Sequence, residues 1–456
     1  VQAGYNYKRR YYLDFSGAFI HSAKLPPGKR DGFSPTVSLG WRISDEDFIK
    51  DNFSFISDMK IKGSYSSVKQ DIDVTGFKAG NANPPIPTDY YLYQGFYSNN
   101  ATLGGFYTWR DGLAGGRTTL SGQADNPDLT FIQRNELSLG LDASLFKNKV
   151  TLDLNYFSQT TNGLLARGSS IYPSYFAGSG DFRPWINYNN EQRKGFDFAV
   201  NLNEKIGEVQ YSVGVTGMLY SSKVLRRDEL PAERYQARTG LPIDANFGYI
   251  SEGFFQSQAD IASSARQTFG GTVAPGDIKY RDVNQDGVID NKDQVNLGKN
   301  GFAVAPFSYG VNLTVKWKRL TMFVLGSGIT GAVGFKNSSY YWVGGATKYS
   351  DVVLGRWTDA TKATATYPRL TSTSGTNNFQ NSTFWMYNVS RFNLTRVQFT
   401  YNFDDKIFKN SFVHGLSVYA QGDNLLVVSK ERQLMETNIG SPPQTRFFSL
   451  GVKSSF

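Results

Sequence analysis

Apolar and polar residues alternate one for one over much of the chain. In Leu137–Leu145 the odd positions are Leu137, Leu139, Leu141, Ala143 and Leu145, and the even ones Ser138, Gly140, Asp142 and Ser144. Val150, Leu152, Leu154 and Tyr156 then stand against Thr151, Asp153 and Asn155. Val397, Phe399, Tyr401 and Phe403 oppose Arg396, Gln398, Thr400 and Asn402. Successive side chains of a strand point to opposite faces, so a period of two predicts strands with one apolar and one polar face. About thirteen such segments can be marked, over residues 1–8, 10–20, 34–43, 57–68, 130–145, 149–160, 187–203, 208–221, 305–317, 320–331, 385–403, 413–427 and 445–456. Many exceed the soluble mean of about five to six residues. They match the about nine to eleven tilted residues that a strand needs to cross a bilayer.

The connections sharpen the expectation. Lys147-Asn148, Glu204 to Gly207 and Lys318-Arg319 read as tight turns, whereas residues 69–129, 161–186, 222–304, 332–384 and 428–444 are long. From Tyr11 onward long and short connections alternate. Outer-membrane barrels have short periplasmic turns and long extracellular loops, a segregation that a soluble sandwich has no reason to show. The expected fold is therefore all-β, a transmembrane antiparallel up-and-down β-barrel. By this parity the last strand ends on the periplasmic side. Phe448, Leu450, Val452 and Phe456 share one of its faces and Ser449, Gly451, Lys453 and Ser455 the other. An alternating last strand with a terminal Phe456 resembles the signal read by the barrel-insertion machinery. An odd count of strands cannot close an even barrel, so further strands are expected before Val1, at which the chain opens in mid-strand style.

Composition agrees. Hydrophobic residues are 40%, charged residues only 19% and aromatics 15%, with 46 Gly. That mixture suits aromatic girdles, an apolar outer face and a polar lumen better than a packed soluble domain. No apolar run reaches the about 18 residues of a transmembrane helix; the best, Thr321 to Phe335, is interrupted by Gly, Ser and Thr. Cysteine is absent, which excludes disulfides, thiolate metal sites and a thiol nucleophile. The net charge of +9 is spread without a dense basic run, so nucleic-acid binding is not expected; the excess fits turns and lumen, with anionic lipid headgroups or an acidic solute as the functional alternative.

Four stretches stand out: Gly32-Phe33-Ser34-Pro35-Thr36-Val37-Ser38-Leu39-Gly40-Trp41-Arg42-Ile43-Ser44 followed by Ile56 to Lys62; Asn126-Pro127-Asp128-Leu129 leading to Gly140-Leu141-Asp142; Gly276-Asp277-Ile278-Lys279-Tyr280 running into Asp282 to Gly287; and Gln421-Gly422-Asp423-Asn424-Leu425-Leu426. Together they resemble the SusC family of TonB-dependent transporters of Bacteroidetes. They occur in the family's order across most of the chain. The resemblance implies a large plugged barrel that imports oligosaccharides or peptides, energised by TonB and capped by a SusD-like surface lipoprotein. The plug, the TonB-binding segment and the early strands are expected upstream of Val1, with residues 1–456 forming the C-terminal part of the barrel. The alternative is a scaffold barrel of a larger outer-membrane assembly that does not transport; an upstream TonB-binding segment would discriminate the two. Long loops and the family stretches argue against a passive porin.

Candidate chemistry is sparse. Asp282-Val283-Asn284-Gln285-Asp286-Gly287-Val288-Ile289-Asp290-Asn291-Lys292-Asp293 matches an EF-hand calcium loop at positions 1, 3, 5, 6 and 9. Calcium takes six to eight oxygens, and this stretch offers Asp282, Asn284, Asp286, the Val288 carbonyl, Asp290 and Asp293. Asp293 replaces the usual Glu, and no clear helices flank the loop, so the expectation is weak calcium binding that stiffens the 222–304 loop; the alternative is a hydrated Asp/Asn turn. His21 and His414 lack metal or catalytic partners at suitable spacing, Asp404-Asp405 sits on an expected periplasmic turn, and Gly112 to Gly116 lacks a strand–helix context. No acid–base–nucleophile set suggests an enzyme. Aromatic clusters in the long loops offer faces for sugar rings or a lipoprotein cap; Tyr91, Trp109, Tyr341 and Trp342 are the candidate contacts, with loop packing or girdle roles as the alternative.

Overall fold

The computed structural model describes residues 1–72, 90–99, 119–177, 182–301, 304–344, 350–371, 377–404, 415–438 and 441–455. Among them, thirteen strands form one sheet in which each pairs with its neighbours in sequence. They are β1 (Gln2–Tyr7), β2 (Tyr11–His21), β3 (Asp31–Trp41), β4 (Ile56–Gln70), β5 (Ile132–Leu145), β6 (Val150–Ala166), β7 (Ile186–Ile206), β8 (Val209–Arg226), β9 (Phe307–Trp317), β10 (Leu320–Thr330), β11 (Arg391–Asn402), β12 (Gly415–Val428) and β13 (Phe447–Ser455). Every pair is antiparallel. The expected strands are all present and shifted by a few residues.

The register makes the two faces explicit. One paired row runs Tyr5, Leu13, Leu39, Gly63, Leu139, Tyr156, Phe196, Leu219 and Phe307 across nine strands. Apart from the glycine it is wholly apolar, and Leu139 and Leu39 are exposed. The row beginning Gly40, Lys62, Gly140, Asn155 and Asp197 lies on the other face and is polar. There Lys62 Nζ lies 2.7 Å from Asp142 and 3.8 Å from Asp153. Its stem crosses Gly140, where a Cβ would come within 2.4 Å of Lys62 Cε. This face is the polar lumen of a barrel, and the apolar one meets lipid.

Aromatic pairs mark both ends of the apolar face. Near the short turns, Tyr7 stacks on Tyr11 and Phe55 on Phe146, and Trp317 is exposed at the β9–β10 turn. Near the long loops, Phe19 meets Phe33 at 4.7 Å, and Tyr309 lies parallel to Phe392 at 6.2 Å. Such belts sit at the two membrane interfaces.

The connections segregate by end as expected, with three adjustments. Residues 42–55 are longer than a tight turn; a helical segment, Asp47–Lys50, sits there, and Glu46 accepts from the Tyr11 hydroxyl at 2.7 Å and Trp41 Nε1 at 3.1 Å. The expected 222–304 loop runs from 227 to 306, because β8 continues through a bulge near Val224 and Arg226. The segment expected as 385–403 divides: Met386–Asn388 pairs with Val333–Phe335, and β11 begins at Arg391. Phe456, His414 and Asp405 lie outside the described residues.

The wall has no apolar centre, so burial concentrates in the long connections. Leu25, Ile72, Leu92, Leu129 and Phe131 form one buried cluster, and residues of the 227–306 and 331–390 connections form another. Replacing lipid-facing Leu139 with Arg is expected to lower unfolding free energy in a bilayer by about 2 to 4 kcal/mol, while Ser138→Arg on the lumen face has a small effect. Denaturant unfolding in liposomes checks the contrast; equal losses at both positions would contradict the facing.

Candidate functional site

Two long connections fold over one end of the wall as a single module. Tyr249, Ile278, Tyr280 and Ile289 come from residues 227–306, and Val343, Val353, Tyr367 and Trp385 from 331–390; together they form its buried core. Hydrogen bonds tie the module together, and those of Ile278 and Tyr280 cross between the connections. Asn378 accepts from Ile278 N at 2.8 Å, and its own carbonyl accepts from Trp385 Nε1 at 2.8 Å. The Tyr280 hydroxyl donates to Asn377 O at 2.9 Å, and that of Tyr367 to Tyr341 O at 2.7 Å. Burial pushes both phenols above their ordinary pKa, which keeps them hydrogen-bond donors.

An ion pair locks the same junction. The Arg369 guanidinium approaches buried Asp277 at 2.8 and 2.9 Å, and Asn378 Nδ2 adds a hydrogen bond at 2.9 Å. A buried carboxylate needs such compensation, since a lone charge there costs several kcal/mol. The neighbouring Gly276 has φ of +88°, and a Cβ on it would meet Trp357 Cε3 at 2.5 Å. Only glycine fits both the left-handed backbone and the indole above it.

The acidic stretch hangs from this module. Asp282 accepts from Gln285 N at 2.7 Å and Gly287 N at 2.9 Å, and Asp286 accepts from Val288 N at 2.9 Å. Asn284 accepts from Asp286 N at 3.2 Å and Asp290 from Lys292 N at 2.8 Å. Val288 is paired with Arg266 in a short parallel bridge. Asp293 is fully buried and accepts from Val283 N at 2.8 Å and Asp290 N at 2.9 Å. The side-chain oxygens of Asp282, Asn284, Asp286, Asp290 and Asp293 thus meet backbone amides in this conformation. Among the described residues, no group of three His, Cys, Asp or Glu side chains is placed to hold a metal ion. Amides from Val288, with Asn284 and Lys292 alongside, hold the Asp286 carboxyl below its usual range.

Beside the module, at the loop end of the lumen, lies an open cavity of about 580 Å³. A bulge at Thr395 shifts the alternation of β11. Phe392 stacks on lipid-facing Tyr309, so Arg391 and Asn393 face inward. The hairpin of Val333–Phe335 and Met386–Asn388 supplies Lys336 and Tyr387. Tyr387 lies across Gly334, where a Cβ would meet its ring at 2.8 Å. The 432–437 helix adds Leu434 and Met435. Lys336 pairs with Glu431 at 3.0 Å.

The aromatic candidates separate. Tyr341 lines this cavity, and desolvation pushes its phenol up to about 12. Trp342 stacks on Phe379 at 5.9 Å and packs against the module core. Tyr91 makes an edge contact with Tyr93 at 6.3 Å, in a different loop. Trp109 lies outside the described residues. Sequence reasoning passed over Arg391, Asn393, Lys336, Tyr387 and Glu431. Arg391 lies inside the segment expected as 385–403, and no local pattern sets it apart.

No family model matches the chain. It is 27% identical over 487 residues to TonB-dependent receptor P26 of Formosa agariphila, covering 99% of this chain and 45% of that receptor. TonB-dependent receptor P3 of the same organism is 23% identical over 492 residues, covering 100% and 45%. The RagAB peptide importer in its open-open state superposes with a TM-score of 0.73 at 17% identity, over 100% of this chain and 46% of that one. In sequence the chain resembles TonB-dependent receptors, and its fold is that of the RagAB barrel wall. A second RagAB peptide transporter structure gives a TM-score of 0.70. The chain spans about half the length of the curated relatives it matches.

Two outcomes test the loop module. Gly276→Ala is expected to speed hydrogen exchange across 227–306 and 350–371 by about tenfold, since strain in the left-handed region costs about 1 kcal/mol or more, while the barrel strands keep their protection. The depressed Asp286 pKa stabilises the turn fully above its ordinary value of 3.8, and that contribution fades as pH falls through the lower folded value. Proteolysis of the turn should accelerate over that acidic window in the wild type, and the acceleration should be smaller in Asp286→Asn.

Proposed function

We infer that this chain is the wall and loop region of an active outer-membrane importer of nutrients. The observation that carries the reading is the match with TonB-dependent receptors along the whole of this chain, on a wall with one polar and one apolar face. In the proposed cycle, solute is held by loop residues at the mouth. A SusD-like surface lipoprotein caps the outer face, and a pull from TonB, transmitted through a plug, opens the lumen. The long connections face outward and the β13 terminus faces the periplasm, which follows from the segregation of loop lengths. Transport here is binding and release rather than catalysis. The cargo is an oligosaccharide or a peptide; the likeness to a structure named as a peptide importer supports the second.

In the native host, loss of this receptor is expected to remove energy-dependent uptake of its nutrient, and collapse of the proton gradient to have the same effect. Uptake that persists in the deletion strain, with the barrel still assembling into complexes, would favour the scaffold alternative. Capture of the tagged receptor from native membranes should recover a surface lipoprotein in about equal amount.

Calcium at residues 282–293 belongs to the same proposal. Its support is the order of oxygen-bearing residues at alternate positions and their gathering in one turn. The ion would have to displace amides from Asp282 and Asp286. Calcium added to the intact, stripped receptor should slow proteolysis within 227–306, and Asp282→Ala should abolish the effect. Equal rates with and without calcium would count against it.

A further inference from the structure

The mouth cavity combines features that a neutral sugar or a lipid tail does not require. Arg391 points into it, and among the described residues no carboxylate pairs with its guanidinium. A second cation, Lys336, is held at 3.0 Å by Glu431, which neutralises it. The remaining charge at this end of the cavity is therefore positive. Around Arg391 stand groups that can complete the coordination of a bound solute. Tyr341 and Tyr387 are both shifted toward the neutral phenol by desolvation, so each keeps an O–H to donate. The Asn393 side-chain oxygen is buried without a hydrogen-bond partner. An unsatisfied buried acceptor costs about 1 to 3 kcal/mol, which a donor on a ligand would recover. Val427, the cross-strand neighbour of Asn393, and Leu434 and Met435 of the 432–437 helix add apolar lining.

We propose that this cavity is a binding subsite for a carboxylate-bearing solute: Arg391 holds the carboxylate by a charge-assisted, two-pronged contact, Tyr341 and Tyr387 donate to it, and Asn393 accepts a donor from the adjoining unit. Planar guanidinium matches planar carboxylate with two parallel hydrogen bonds, and such contacts are the strong ones at a half-desolvated site. The cavity is large enough for two or three small residues beside the acid group. Glu431 tunes the site by holding Lys336 away from the ligand. The proposal rests on the importer reading and adds the chemical class of the cargo. A free peptide C-terminus and a uronate both present this chemistry.

Binding to the purified, full-length receptor tests it without reference to uptake. Two probe pairs are used: N-acetyl-tetraalanine as free acid and as amide, and a glucuronate-terminated disaccharide as free acid and as methyl ester. In one pair at least, the acid is expected to bind about tenfold or more tighter than its neutral counterpart by calorimetry, and that pair identifies the source. Arg391→Gln should erase the preference, Arg391→Lys should restore part of it, and Glu431→Gln should strengthen acid binding by freeing Lys336. Equal affinity for acid and neutral probes in both pairs, absence of binding by all four, or an Arg391→Gln receptor that keeps the preference would overturn the assignment. Any of these would leave the energy-dependent uptake result standing on its own.

Discussion

Hydrocarbon offers no water to a backbone N–H or C=O, and the rest of this structure follows from that constraint. Each unpaired group would cost several kcal/mol, so a wall crossing lipid has to satisfy its polar backbone by strand pairing. Thirteen strands paired in sequence order do this with neighbours only. Pairing fixes the pleat, and the pleat sends alternate side chains to lipid and to lumen. The row from Tyr5 to Phe307 and the row from Gly40 to Asp197 are the two outcomes of one register. A slip by a single residue would set Asp142 and Lys62 against lipid, so the register is strongly specified.

A wall that spends its apolar residues on lipid has none left for a centre. The long connections therefore build cores of their own. Tyr249, Ile278, Tyr280 and Trp385 are buried together although they come from two connections separated by the β9–β10 hairpin. The Asp277–Arg369 pair and the Asn377–Asn378 contacts join those connections rather than either one to the wall. A module held this way has its own local stability. The cavity lies where this module, the wall and the 432–437 helix meet.

Which parts could be read in advance follows from the range of each interaction. Period two is a local property, so Leu137–Leu145 and Val150–Tyr156 announced their strands, their faces and the tight turn between them. Strand ends were less legible: β8 continues to Arg226 because its last residues pair with β7 above the apolar band, where no hydrophobic pattern marks them. The loop module was illegible because its contacts are non-local. Nothing near Gly276 in sequence foretells Trp357 above it. The acidic stretch was read as calcium ligands from its spacing; its oxygens here serve as caps for the turn's own amides, with Asp293 buried to accept two of them. Tyr341 belongs to an aromatic cluster in a long loop and lines the cavity, yet Arg391, the charge that gives the cavity its character, carries no motif.

The absence of cysteine from the chain allows a direct test of the central claim, that one register puts alternate residues against lipid and lumen. Single cysteines placed in turn at positions 137 to 145 of the receptor, in intact outer membranes, would be treated with a small water-soluble maleimide and, separately, with a lipid-phase maleimide. The account predicts strict alternation: even positions react from water, and odd positions react only from the lipid phase. Uniform reactivity with the water-soluble reagent along the segment, or alternation of the opposite sense, would contradict it.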